Sequence, residues 1–201
     1  MPTALSFVLA SSSPVRFNLL RAAGLDVTAI APRVDEDSVR DALLAEGAKP
    51  RDIADTLAEM KARKIAEKSP TRLVIGCDQV LALGEQVFAK PSHQTDAIDQ
   101  LRRLRGSTHR LLSAIVVYQN AEPVWRHVGT ADLTMVDLSD AYLADYVKRN
   151  WESIRYAVGC YKLEEEGVRL FSDIKGDYFT ILGLPLLPLL AWLRSRGMIA
   201  V

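Results

Sequence analysis

A chain of 201 residues, 49% of them hydrophobic and 25% charged, is expected to fold as one domain, 1–201, with a substantial core. Its 25 Lys and Arg balance 25 Asp and Glu, so no global field steers it to nucleic acid or to an anionic membrane. Any polyanion must be met by a local cluster of positive groups.

In chain order, Leu5–Ala10 reads as a short buried strand. It runs into Ser11-Ser12-Ser13-Pro14, where serine at a cap and proline at the first helical position start a helix carrying Val15, Leu19 and Leu20 on one face. Gly24 ends that helix. Met1–Ala10 lacks a basic n-region and is not read as a signal peptide. Leu25–Ile30 is a second strand candidate, followed by the acidic run Asp35-Glu36-Asp37. A helix is expected over Arg51–Lys68, then a strand over Leu73–Leu83 rich in Val, Ile and Leu. Thr95–Arg105 has acids early and arginines late, as a helix dipole favours. Leu111–Tyr118 and Val128–Val136 look like strands, and Ser139–Arg149 like a capped helix. Strand-like pieces follow to Phe179, and a last helix runs to Arg196. Ile181–Leu193 is the most apolar segment, but it holds Gly183, Pro185 and Pro188 and is too short to span a bilayer. Alternating strands and helices indicate an α/β or α+β domain. Cys77 and Cys160 lack a CxxC partner, which reads as two buried thiols in a reducing, cytoplasmic compartment.

Several residues are candidates for chemistry. A strand feeding a capped helix at Ser11–Arg16 aims backbone N–H groups and hydroxyls at one point, and Arg16 adds a positive fork, as a phosphate requires. The alternative there is a plain helix cap with a surface arginine. Asp78 interrupts an apolar strand, where a carboxylate must be paired, hydrogen-bonded or metal-bound. It is either a general base or metal ligand, or a strand-end carboxylate satisfied by loop amides. Lys61 falls between Ala54, Leu57 and Ile65 on the apolar face of its helix, so it either snorkels or reaches a buried anion. Lys90, before Pro91, says little alone, and Glu36 and Glu164 sit in acidic runs that ordinarily face water. Leu104–Arg110 is basic but has no aromatic interleaving of the kind nucleic-acid platforms use. His109 reads as a structural hydrogen-bonder, and His93 and His127 have no metal-ligand spacing.

The order of the motifs is more specific than any one of them. Leu9-Ala10-Ser11-Ser12-Ser13-Pro14, Leu57-Ala58-Glu59-Met60-Lys61-Ala62, Gly76-Cys77-Asp78-Gln79-Val80, Ala89-Lys90-Pro91, Ile174-Lys175-Gly176-Asp177-Tyr178 and Gly183-Leu184-Pro185-Leu186 together resemble the Maf family from Val8 to Gly197. The resemblance implies a central mixed sheet flanked by helices, a nucleotide-binding cleft and a chain that is often a homodimer. It also implies hydrolysis of a nucleoside triphosphate to monophosphate and pyrophosphate with a divalent cation (Mg, Mn or Co). The family pattern places catalytic groups at Asp78, Lys61 and Lys90, phosphate-binding groups at Ser11 and Arg16, and a metal at Glu36 and Asp78. Nucleic acid and membrane are not among the implied partners. A family association with septum formation suggests the alternative of a nucleotide-binding regulator of cell division with little turnover.

At two positions the chain resembles the branch acting on 7-methyl-GTP. It has Asp78-Gln79 and Glu164 where the dTTP and UTP branch reads Asp-Thr and glutamine. Val15 stands where many members have arginine, and Glu165 where glycine is usual. Gln79, Glu164 and Val15 are therefore the expected base-reading residues.

Overall fold

The computed structural model describes residues 6–200, so Leu5 of the first expected strand lies outside the described residues. Strands β1 (Phe7–Ala10), β2 (Val27–Ala29), β3 (Leu73–Leu83), β4 (Gln86–Phe88), β5 (Thr108–Gln119), β6 (Glu122–Met135) and β7 (Phe171–Lys175) form one mixed seven-stranded sheet. Its order is β2-β1-β3-β5-β6-β7, with β4 also paired to β3. β1 runs parallel to β2 and β3, and the remaining pairs are antiparallel. Seven helices flank the sheet: α1 (Pro14–Ala22), α2 (Glu36–Ala45), α3 (Pro50–Ala66), α4 (Gln94–Leu104), α5 (Asp140–Ile154), α6 (Tyr178–Ile181) and α7 (Leu186–Ser195). This is a single α/β domain, one of the two classes that the alternating elements allowed. No helix of the described residues is long and apolar enough to cross a membrane.

Side-chain alternation along β3 sorts the core into layers. Val74, Val80 and Ala82 join Ile53, Leu57 and Ala62 of α3 on one face. Leu73, Ile75 and Cys77 join Leu20 of α1 and Leu189 and Leu193 of α7 on the other. Leu81 packs there beside Leu101 of α4 and Leu143 and Tyr146 of α5. Three buried clusters thus clamp one sheet from both sides.

Several expectations need correcting. The acidic run Asp35–Asp37 is not simple solvated surface, because Asp35 caps α2 by accepting from the Ser38 N–H, and Glu36 opens the helix. α2 has no fully buried residue, and only Val39 and Leu43 pack against the core, so its apolar stripe is too thin to announce a helix. The expected strand-like pieces before Phe179 are mostly absent. Two short 3-10 turns, Val158–Cys160 and Glu166–Leu170, precede β7, and α6 follows it. Gly159 and Cys160 both take left-handed backbone, φ 77° and 60°, which no strand allows. The three-residue β4 was not expected.

Candidate functional site

β3 is covered unequally on its β1 side. β1 pairs with it only as far as Gly76, and β4 begins at Leu81. Between them Cys77–Val80 has no neighbouring strand on that side, while β5 pairs continuously on the other. The sheet forks there, and the fork opens into a cleft of about 600 Å³. Asp78 and Gln79 point to opposite faces of the sheet by alternation, yet both line the cleft because it cuts through the sheet at the fork.

All nine sequence-predicted residues (Ser11, Val15, Arg16, Glu36, Lys61, Asp78, Gln79, Lys90 and Glu164) line this one cleft. Asp78 lies mid-strand and is 5% exposed, not at a strand end. On its side of the sheet Lys61 does not snorkel. It is 4% exposed, and its Nζ donates to Asp78 Oδ1 at 2.5 Å and lies 2.7 Å from Glu36 Oε1. Lys64, the competing lysine of the same helix, instead donates to the Arg33 carbonyl. Gly76 makes the Lys61 contact reachable. A Cβ there would run into the Ala58 carbonyl and come within 2.7 Å of Ala62 Cβ, so only glycine lets α3 approach β3 this closely.

The charges of the pair are set by burial. Desolvation raises the Asp78 carboxyl above its ordinary value; the Lys61 and Arg16 cations and the Lys61 hydrogen bond oppose this, and the Glu36 charge adds to it. Burial also opposes ionisation of Glu36, but Lys61, its hydrogen bond, Lys90 and Arg16 together hold that carboxyl below its usual range. Lys90 is exposed, with its Nζ 3.5 Å from Glu36 Oε2. One carboxylate stays charged at the mouth, and the other is poised on the floor. Burial pushes the neighbouring Cys77 thiol up to about 11, so it is not a nucleophile.

The phosphate-ready turn is built as the local pattern required. Ser13 caps α1 by accepting from the Arg16 N–H at 3.3 Å, and Pro14 opens the helix. Ser11 Oγ accepts from the Ser13 N–H at 3.2 Å and faces Arg16 Nη1 at 3.4 Å. Arg16 is not a free surface cation. Its Nε donates to the Gly183 carbonyl at 2.7 Å and its Nη1 to the Cys77 carbonyl at 3.2 Å. Gly183 is left-handed, φ 87°, and a Cβ there would press on the guanidinium. Arg16 Nη2 has no protein acceptor among the described residues.

On the other face, Gln79 is fixed by acceptors. Its Nε2 donates to the Ile181 carbonyl at 2.9 Å and to Ser113 Oγ at 2.9 Å, with the Thr180 carbonyl at 3.3 Å. Ser113 Oγ itself donates to the Thr180 carbonyl. Carbonyls cannot donate, so the amide nitrogen must face them and Oε1 is presented as an acceptor. Ser113, Thr180 and Ile181 were not legible as site residues, and neither were Arg40, Tyr156 and Lys162, which also line the cleft. Lys162 is held by Ser153 and by Glu165, the residue that replaces a usual glycine.

The remaining titratable candidates are structural. His109 Nε2 bonds to the Tyr161 hydroxyl at 2.7 Å, and burial lowers its pKa to about 4. His93 caps α4 and His127 stacks on Trp125. In the basic segment, Arg102 and Arg105 are both paired with Asp140, and Arg110 with Asp132. Arg103 lies over the Phe88 ring. Among the described residues no group of three His, Cys, Asp or Glu side chains is arranged to hold a metal.

Residues 6–196 match the Maf family, described as Maf-like protein. A Roseobacter denitrificans protein named nucleoside triphosphate pyrophosphatase is 60% identical over 190 residues, 94% of this chain and 96% of the relative. A Ruegeria pomeroyi protein of the same name is 58% identical over 192 residues, 96% of each chain. A Rhizobium meliloti protein named 7-methyl-GTP pyrophosphatase is 48% identical over 192 residues, again 96% of each. A family match across almost the whole described chain, together with relatives of this identity, establishes that the chain belongs to the Maf family.

Proposed function

We propose that this Maf-family chain hydrolyses a nucleoside triphosphate to the monophosphate and pyrophosphate, acting in the cytoplasm, where two buried free thiols persist. The observation that carries the reading is the Glu36–Lys61–Asp78 chain, which runs from the mouth of the cleft to the buried Lys61–Asp78 pair on its floor, beside an anion-ready helix start. In this reading Asp78 orients a water and takes its proton while the water oxygen bonds to the α-phosphorus. The bond from that phosphorus to its bridging oxygen breaks, and the electron pair leaves with pyrophosphate. Burial raises the Asp78 pKa, which makes its carboxylate a stronger proton acceptor than an exposed one. Ser11 and Arg16 Nη2 bind phosphate oxygens, and Lys61 and Lys90 offset negative charge as it moves toward the leaving group.

A divalent cation (Mg, Mn or Co) fits the donor set. Glu36 and Asp78 already share one cation, the Lys61 ammonium, and Asp78 Oδ2 has no protein partner among the described residues. Two carboxylates, with phosphate oxygens and water completing the shell, are what hard cations of this size take. Bound there, such an ion would supply charge neutralisation and polarisation of the triphosphate.

For the base, Gln79 Oε1 and the Glu164 carboxylate present acceptors, which suit the N–H edge of guanine, with Val15 lining the same pocket. The favoured substrate in this reading is 7-methyl-GTP, as the name of the Rhizobium relative supports. A nucleotide panel with separate assays for pyrophosphate and orthophosphate tests both levels. Pyrophosphate release fastest from 7-methyl-GTP is expected. Orthophosphate as the sole product would sink the reaction class, and equal rates on all bases would sink the substrate. A regulator that binds nucleotide without turnover has no use for a basic carboxylate on the cleft floor.

A further inference from the structure

A nucleobase needs a flat apolar surface as well as hydrogen-bond partners. The cleft has three aromatic side chains, Phe88, Tyr156 and Tyr161. Phe88 is 3% exposed and carries the Arg103 guanidinium over its ring. Tyr161 is 5% exposed and packs edge-on against Phe171 while its hydroxyl meets His109. Tyr156 is 69% exposed. It is nevertheless not a loose side chain. The Arg155 guanidinium lies 5.5 Å from the Trp151 ring centroid and 5.3 Å from the Tyr156 ring centroid, and Glu152 pairs with that guanidinium. Tyr156 thus shares the Arg155 guanidinium with Trp151 and stands largely exposed at the cleft wall. A flat ligand laid on such a ring removes apolar surface of both from water.

We propose that Tyr156 is the stacking platform for the nucleobase, a specificity-determining residue that selects purines over pyrimidines by contact area. The inference deepens the triphosphate reading and rests on it. Gln79 and Glu164 would then read the edge of the base while Tyr156 holds its face. A purine covers more of a tyrosine ring than a pyrimidine does, and stacking tolerates any base because every base has a π-face.

The test compares wild type with Tyr156→Ala and Tyr156→Phe on GTP, 7-methyl-GTP, ATP and UTP, with inorganic tripolyphosphate as an inhibitor that lacks a base. Tyr156→Ala is expected to raise KM for purine triphosphates roughly tenfold, the usual scale of one lost stacking contact. The expected effect on UTP is smaller, with kcat and tripolyphosphate inhibition unchanged, and Tyr156→Phe should restore KM. An unchanged purine KM, equal effects on purine and pyrimidine, failure of phenylalanine to rescue, or a parallel loss of tripolyphosphate inhibition would each overturn the proposal. Equilibrium binding of GTP without metal separates the two readings. A wild type that binds GTP through Tyr156 yet releases no pyrophosphate refutes the hydrolase while upholding the platform.

Discussion

The floor and the rim of the cleft are built differently. The floor, Asp78 with Lys61 and the Ser11–Arg16 turn, stands on a central strand, a helix that packs tightly on it and a capped helix start. Asp78, Lys61 and Ser11 are buried, and hydrogen bonds join Lys61 to Asp78 and Arg16 to Ser11. The rim from Tyr156 to Glu164 is 3-10 turn and irregular chain with left-handed backbone at two successive residues, and its tip side chains are exposed. Charge redistribution in a reaction requires fixed dipoles in a dry place, whereas selection among bases requires a wall that sequence change can alter without touching the sheet. In the proposed reading the reacting groups stand on the floor, and Tyr156 and Glu164 of the rim join Gln79 of β3 and Val15 of α1 in selecting the base, all within about 600 Å³.

The sharpest way to break this contrast is at Lys61. Lys61→Ala should lower kcat about 10²- to 10³-fold, because the buried Asp78 loses its cation. It should also melt earlier, since an uncompensated buried charge remains. A kcat within a few-fold of wild type would make the pair merely structural. Next comes Gly76→Ala, which should destabilise by about 3 kcal/mol in chemical denaturation, because the neighbouring atom is α3 backbone and cannot step aside. A neutral result would show that α3 does not need its close approach.

Burial makes two opposite predictions about pH. Asp78's pKa is raised, so its ionised form is lost as pH falls through a value above the ordinary 3.8. The acid limb of kcat/KM should lie above that figure, and a limb at or below it would contradict the base assignment. His109 is depressed from 6.5 to about 4, so the unfolded chain binds the extra proton between those values. Stability should be fully present above about 6.5 and decline by on the order of 3 kcal/mol as pH falls to about 4. In His109→Gln that decline should flatten.

Sequence made the two regions unequally legible. α1 was readable because serine, proline and glycine each act locally on backbone geometry, and β3 because a long Val, Ile and Leu run bounded by turns has few alternatives. Asp78 stood out as a charge in such a run. Its partner could not be identified by spacing, since Lys61 is 17 residues away in the chain and reaches Asp78 only because Gly76 lets α3 close in. Arg16 was legible as a cation, but its Gly183 anchor lies 167 residues away. The rim was misread as strand because its apolar residues follow no period. Tyr156 became visible only when the fold left it in water beside the cleft.

The separation of reaction from selection is tested most directly by measuring pyrophosphate release from GTP, 7-methyl-GTP, ATP and UTP by Asp78→Asn and Glu164→Gln. Asp78→Asn is expected to slow all nucleotides in the same proportion, by about 10³-fold or more. Glu164→Gln should leave the best rate within a few-fold and change the ratios among bases. A fully active Asp78→Asn, or a Glu164→Gln that slows every nucleotide alike, would contradict the account.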